Sequence, residues 1–320
     1  MSFDILRTGA RRSLPLIAIL LLLPVDSLLA QIRPAEYAAR RATLTQTLGD
    51  GLYYFRAEVA SNGRQDPDFN YLTGITAPEA RLMMVRQGEE FTDIIFLPGL
   101  PEAATGARSL EEFDTVLREA LGSRPTRLIT SLSPTRDEVV ADLFEQLNRT
   151  SRVAPSGAGS PGLQIVNPAG TLRSMRGTKS PAERELLQIA SDITRNAHIA
   201  AMRTADVGIN EFELQAVIEY TFRRNGAERP GFDSIVGSGP NSLSLHWSDN
   251  NRFMEEGDVV VMDIGAEYFG YTSDVTRTIP VSGTFTREQR DIYEIVLAAH
   301  LAAAELAEVE GTPYSALSEA

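Results

Sequence analysis

The chain has 320 residues, with 43 acidic against 30 basic side chains and a formal charge of −13. That length holds two domains or one large one. The charge argues against nucleic acid or anionic membrane as partners, since phosphate binding needs clustered Lys and Arg, and the absence of cysteine excludes a disulfide framework, a thiol nucleophile and a thiolate metal site.

Arg7, Arg11 and Arg12 form a basic leader to the uncharged apolar run 14–23, and Leu28-Leu29-Ala30 offers a cleavage point after Ala30. The run is shorter than the roughly 20 residues a spanning helix needs. Residues 1–30 are expected to be a signal peptide. The mature chain is then exported, periplasmic or secreted, with no membrane association after cleavage. Leu28 stands where a small residue is usual, so an uncleaved anchor stays as the alternative.

Residues 34–48 carry Tyr37, Ala38, Arg41 and Leu44 at helical spacing. Residues 51–55, 80–85, 93–97 and 126–130 read as strands, and 110–121 and 137–147 as amphipathic helices. This alternation predicts a small α/β domain with a mostly covered sheet. Asn148-Arg-Thr150 is a glycosylation sequon of the kind that arises by chance. Residues 154–161 (APSGAGSP) read as a surface loop. Residues 164–167 can still belong to the first domain, which places the boundary near Arg173 and gives domains of 31–172 and 173–320.

Three helices are well signed in the second domain. Ser180-Pro181 with Glu183 makes a capping box with proline at the first helical position. Asn210 with Glu213 starts the next helix, and Gly226 after Asn225 stops it. Thr286 with Gln289 starts a third, carrying Ile292, Ile295, Val296 and Ala299 up to Gly311. Thr312-Pro313 then opens a further element with seven residues to follow, so the sequence is expected to be truncated at its C-terminal end.

Between the second and third helices runs VVVMDIGAEYFGYTSDVTRTIP, residues 259–280. A buried strand ends in Asp263, a Gly- and aromatic-containing reversal follows, and a second strand holds Asp274. On one straight strand the two aspartates would face opposite sides. A hairpin reversing between Tyr268 and Phe269 would make them direct cross-strand partners, with Cβ atoms about 4.5–5.5 Å apart. Like charges placed so need a shared proton, an Arg such as Arg277, or divalent cations. A chain without cysteine offering paired carboxylates suits a hard metal such as Mn or Mg, and two metals could share a carboxylate for hydrolysis by a bridging water. An ordinary polar hairpin with both carboxylates solvated is the competing reading.

Of the three histidines, His198 and His300 sit on helices and read as structural or surface residues. His246 lies on a strand-like segment, 243–247, after a Gly-Ser-Gly-Pro-Asn turn, where a packed polar residue and a site residue are both open. Trp247 and Phe232 read as core before pocket. Gly237-Ser-Gly239 lacks the Lys and helix of a phosphate loop, and no serine nucleophile elbow is present.

The stretch from Asp263 to Pro280 resembles the segment that carries the first two metal ligands in the Xaa-Pro aminopeptidase (aminopeptidase P) family of pita-bread metallopeptidases. The likeness extends to Ser234-Ile-Val-Gly-Ser-Gly-Pro-Asn241, Leu245-His246-Trp247 and Arg64-Gln-Asp-Pro-Asp-Phe-Asn-Tyr-Leu-Thr-Gly74. It implies an α/β N-terminal domain followed by the first half of an α+β pita-bread catalytic domain. It also implies release of an N-terminal residue that precedes proline, two divalent ions (Mn(II) first), and a homo-oligomer. Asp263 and Asp274 match two of the family's five ligands, and His246 matches a non-ligand histidine that holds substrate. The remaining His and two Glu ligands belong to the second half of that fold, so the 320 residues alone are expected to bind metal weakly and to lack peptidase activity. A prolidase-type dipeptidase shares the hairpin, and a non-catalytic binding module would usually have lost the aspartates. A solute-binding or scaffold protein would show no metal dependence of its stability.

Overall fold

The computed structural model describes residues 32–59, 64–99, 107–122, 125–131, 164–307, 309 and 311–318. The expected signal peptide, the helix 137–147, the sequon at Asn148 and the loop 154–161 lie outside the described residues.

α1 (Pro34–Leu48) opens on proline and ends at Gly49. β1 (Gly51–Arg56) follows at once. Leu52 and Tyr54 point to one side of β1, Tyr53 and Phe55 to the other, and all four are buried. A strand covered on both faces needs helices on both sides. α2 (Pro67–Thr73) is a short helix made by its ends. The Asp66 side chain accepts from the Phe69 amide at 2.7 Å, Pro67 has no amide to leave unpaired, and Gly74 takes the left-handed stop. A Cβ on Gly74 would lie 2.3 Å from the Tyr37 ring, so close approach to α1 also requires glycine.

β2 (Arg81–Gln87), β3 (Glu90–Leu97), β4 (Arg108–Ser109), α3 (Phe113–Gly122), β5 (Arg127–Thr130) and β6 (Gln164–Val166) complete this unit with α4 (Ala169–Gly177). The sheet runs β4-β3-β2-β1-β5-β6. Its β1–β2 and β2–β3 pairs are antiparallel, and β5 lies parallel to both β1 and β6. One face packs Tyr53 and Phe55 with Leu44 of α1, Phe69 and Leu72 of α2, and Leu172 of α4. The other packs Leu52 and Tyr54 with Phe113, Leu117 and Leu121 of α3. Arg173, the boundary expected from sequence, lies inside α4 beside Leu172, which is wholly buried in this core.

The second unit starts with α5 (Pro181–Thr204) and α6 (Glu211–Arg224), each opened by the capping box expected from sequence. β7 (Arg229–Pro230), β8 (Ile235–Ser238), β9 (Val259–Ile264), β10 (Ala266–Tyr268), β11 (Tyr271–Thr272) and β12 (Val275–Pro280) form two small sheets, β12-β9-β8 and β11-β10-β7. Val260, Met262 and Ile264 turn inward against Ile193, Ala197 and Ala201 of α5 and Leu214, Ile218 and Phe222 of α6. The period of two then sends Asp263 to the face away from the helices. α7 (Arg287–Ala307) opens with the reciprocal Thr286–Gln289 bonds but ends before Gly311, and a 3₁₀ turn spans Tyr314–Ser318. Its Ile292, Ile295 and Val296 are exposed.

The two units meet at the hairpin tip and α2. Arg40 of α1 reaches the buried Glu183 at 3.4 Å while stacking 4.2 Å from the Tyr71 ring centre, and the Tyr271 hydroxyl donates to Glu183 at 2.9 Å. Burial and the Glu183 charge push the Tyr271 hydroxyl well above its ordinary range. Arg64 Nε lies 3.1 Å from Glu267 of β10. A Cβ on Gly270 would sit 2.3 Å from the Asn70 amide.

Candidate metal centre

The two aspartates come together, though not as direct partners. Tyr268 pairs with Tyr271, so the reversal falls at Phe269-Gly270, and both have positive φ, +49° and +76°. That is the backbone of a two-residue hairpin turn with two left-handed positions. The register therefore sets Asp263 opposite Thr276 and Ile264 opposite Val275. Asp274 stands two residues from Thr276 and shares the face of Asp263 as its diagonal neighbour. The reversal falls one residue later than the sequence predicts, because Gly270 takes one of the two left-handed positions of the turn.

The hairpin is also broken. At Gly265 the first arm leaves one sheet for the other, and a Cβ there would lie 1.9 Å from the Ser273 carbonyl oxygen and 2.8 Å from the Phe232 ring. The crossing is held by a buried knot. The Ala266 amide donates to Thr194 Oγ1 at 2.9 Å and Ser273 Oγ at 3.2 Å, and those two oxygens are 2.6 Å apart. The Ser273 hydroxyl also reaches the Ala190 carbonyl at 3.2 Å. Thr194 and the Ala190 carbonyl thus fix Ser273, the residue directly before Asp274, against α5.

Asp263 is half-buried and its Oδ1 is buried without a hydrogen-bond partner. Burial raises its pKa, the Asp274 charge adds to the rise, and a hydrogen bond with Thr276 and the charge of His246 pull against it. An orphaned, desolvated carboxylate oxygen beside a second carboxylate fits a divalent cation, the group whose charge would offset both penalties. Among the described residues no group of three or more His, Asp or Glu gathers as a metal cage. Asp263 and Asp274 are the two carboxylates that the hairpin brings together on this face.

His246 is not on a strand. Residues Gly239–Leu243 form a 3₁₀ turn, and His246 follows in a bend with φ of +58°. It is exposed, yet near enough for its charge to lower the Asp263 pKa. Trp247, expected in the core, is half-buried and donates to Glu211 at 3.0 Å. His198 is buried, and its Nε2–H donates to the Val275 carbonyl at 2.9 Å. His300 is exposed on α7. Arg277 is exposed and bonds the Thr276 carbonyl, so it does not neutralise the pair. Thr194, Ser273 and Glu211 were not legible as site residues. Their partners lie 79 and 27 residues away in sequence for Thr194–Ser273 and Ser238–Glu211, and no local pattern marks such contacts.

A wide cleft of about 1640 Å³ lies between the units, lined by Arg64, Asp68, Tyr71, Glu183, Glu267 and Tyr271. Of these, Glu183, Glu267 and Asp68 pair with Arg40, with Arg64 and Arg229, and with Arg176 respectively. Among the described residues, the buried carboxylate oxygen without a hydrogen-bond partner is at Asp263, which does not line this cleft.

A model of metallopeptidase family M24 matches residues 185–320. The Xaa-Pro aminopeptidase of Escherichia coli K12 is 30% identical over 299 residues, covering 84% of this chain and 67% of that protein. The chain belongs to the Xaa-Pro aminopeptidase family. The family member of Haemophilus influenzae is 34% identical over 263 residues, 76% of this chain and 58% of that protein. The solved structure of Pseudomonas aeruginosa aminopeptidase PepP superposes with a TM-score of 0.76 at 30% identity, covering 86% of this chain and 68% of that one. This chain thus spans about two-thirds or less of the family members it matches. Its architecture is the family's α/β N-terminal domain joined to part of the pita-bread catalytic domain.

Proposed function

We propose that Asp263 and Asp274 are two ligands of a two-metal centre in an aminopeptidase that releases an N-terminal residue preceding proline. The observation that carries this is the buried, unpartnered Oδ1 of Asp263 beside the Asp274 carboxylate, in a chain of a family whose named relatives are Xaa-Pro aminopeptidases. An all-oxygen pair favours hard ions, with Mn(II) the first choice. Such ions supply Lewis acidity and a nucleophile from water at neutral pH.

The rest is done by this chain's own groups. Asp263 and Asp274 must both be ionised to bind, and the Thr276 hydroxyl favours the ionised Asp263. His246 comes from the loop side with its ring in solvent, and its charge is felt at Asp263, which supports a role in donating to the peptide oxygen that gains charge during attack. The basic leader and apolar run of residues 1–23 support an exported protein, and the family resemblance supports a homo-oligomer.

The test is an assay of the 320-residue chain, and of any longer product of its gene, with Mn(II) and peptides carrying proline or alanine second. Turnover is expected only where further ligands join the two aspartates, and only with proline second. Asp263→Asn is expected to lower kcat/KM by more than about a hundredfold. Cleavage restricted to dipeptides would mean a prolidase-type enzyme, and hydrolysis indifferent to Mn(II) would overturn the reading.

A further inference from the structure

The loop that carries His246 has little apolar anchorage. Leu243 and Leu245 are 88% and 91% exposed, and His246 and Asn250 both hold positive φ, +58° and +44°. Non-glycine residues persist there only when their surroundings over-determine them. What holds this loop is polar. Asn250 is buried, accepts from the Val236 amide at 3.0 Å and donates to Ser234 O and Gln215 Oε1, each at 2.8 Å.

The second anchor is Glu211, the first residue of α6, wholly buried. Its Oε1 accepts from the Ser238 amide and hydroxyl, both at 2.7 Å, and from Asn241 Nδ2 at 3.1 Å. Its Oε2 accepts from Trp247 Nε1 at 3.0 Å and the Arg252 amide at 3.1 Å. Its own amide donates back to the Arg252 carbonyl at 3.0 Å. These donors come from the start, the middle and the end of one segment, 238–252, and one of them is the neighbour of His246. A carboxylate is the group suited to this point, because it accepts at both oxygens and donates at neither. Burying its charge is costly unless it is fully hydrogen-bonded, and here it is.

We propose that Glu211 is the positioning residue that holds His246 toward the Asp263–Asp274 pair, by fixing segment 238–252 as a preformed unit. The proposal rests on reading His246 as a substrate-side residue, but its test needs neither substrate nor metal. Glutamine at 211 keeps the shape and turns an N–H₂ toward donors, so the segment loosens while α6 remains. Trp247 is the single tryptophan and reports the loop directly.

In the metal-free 320-residue chain, Glu211→Gln is expected to raise acrylamide quenching of Trp247 about two- to threefold, as local opening does, with helix content unchanged. Among the three histidine ring signals, that of His246 shifts while those of His198 and His300 stay. In the unsubstituted chain the Trp247 indole N–H is expected to exchange with solvent at least about tenfold more slowly than in the unfolded chain. This decides the matter should the variant not fold. Unchanged quenching, an unmoved His246 signal, or an unprotected indole would each overturn the proposal. A failed peptidase assay would leave these signals untouched, so the two readings fail separately.

Discussion

Asp263 faces Thr276 across the β9–β12 ladder, and Asp274 meets it only on the diagonal. The offset matters chemically. Directly opposed carboxylates would repel at the closest cross-strand distance, whereas the diagonal opens the pair and puts a hydroxyl across from Asp263. Asp263 is still poorly solvated, and the cost of its charge beside Asp274 in the metal-free chain should be measurable.

Asp263 carries a raised pKa because of burial and then the Asp274 charge. A carboxyl raised in the folded state favours folding most below its unfolded value, about 3.9, and loses that contribution as pH rises through the folded value. Asp263→Asn never ionises. In EDTA at pH 7 it is expected to be more stable than the parent by up to about 1 kcal/mol, the scale of relieving like charges across a sheet. Urea titrations at pH 7 and pH 4 check this, and the gain should shrink at the lower pH.

Thr194→Val keeps the shape of the side chain and deletes the hydroxyl that binds the Ala266 amide and Ser273. A buried amide loses a partner, so a loss of about 1–3 kcal/mol is expected, with Thr194→Ser recovering most of it. Denaturant midpoints of the two variants are the readout.

His198 has its pKa lowered by burial, against a partly opposing bond to the Val275 carbonyl. Its neutral form belongs to the folded state. Its contribution is fully present above the ordinary value of 6.5 and is lost as pH falls from there to the lower folded value. His198→Gln cannot charge, so the difference in Tm between parent and variant should change across that window and be flat above it.

Arg40 is buried where the units meet, with Glu36 at 2.6 Å and Glu183 at 3.4 Å. Arg40→Met keeps apolar contact with Tyr71 but leaves the buried Glu183 charge without its cation, with only the Tyr271 hydroxyl and the Ser180 amide still donating to it. Removing one partner of a buried pair costs about 3–5 kcal/mol. Adding Glu183→Gln should restore part of it, which a double-mutant cycle in urea would show.

Much of this was legible from residue order. The cap residues Ser180 with Glu183 and Asn210 with Glu213, proline at 181 and glycine at 226 mark helix ends by local chemistry, whereas the short helix 67–73 is absent from the elements the sequence predicts, although Asp66, Pro67 and Gly74 bound it. The run Leu52–Phe55 announces a strand buried on both faces. The shared face of Asp263 and Asp274 follows from parity, which survives the register error because a reversal one residue later shifts the pairing by two. The register itself depended on recognising Phe269-Gly270 as the turn. The bend at His246 and the anchoring by Glu211 were hidden for a different reason. An acid in the first turn of a helix reads as a complement to the helix dipole, and nothing local reveals that donors from a segment more than 25 residues on converge upon it.

The claim on which the rest stands is that Asp263 and Asp274 together hold a divalent cation. Thermal unfolding of the 320-residue chain with and without Mn(II) tests it most directly. At a free Mn(II) concentration ten times the dissociation constant the gain is about 1.4 kcal/mol. A rise in Tm that grows with Mn(II) and vanishes in both Asp263→Asn and Asp274→Asn is the predicted result. No rise in the parent chain, or an equal rise in all three proteins, would contradict it.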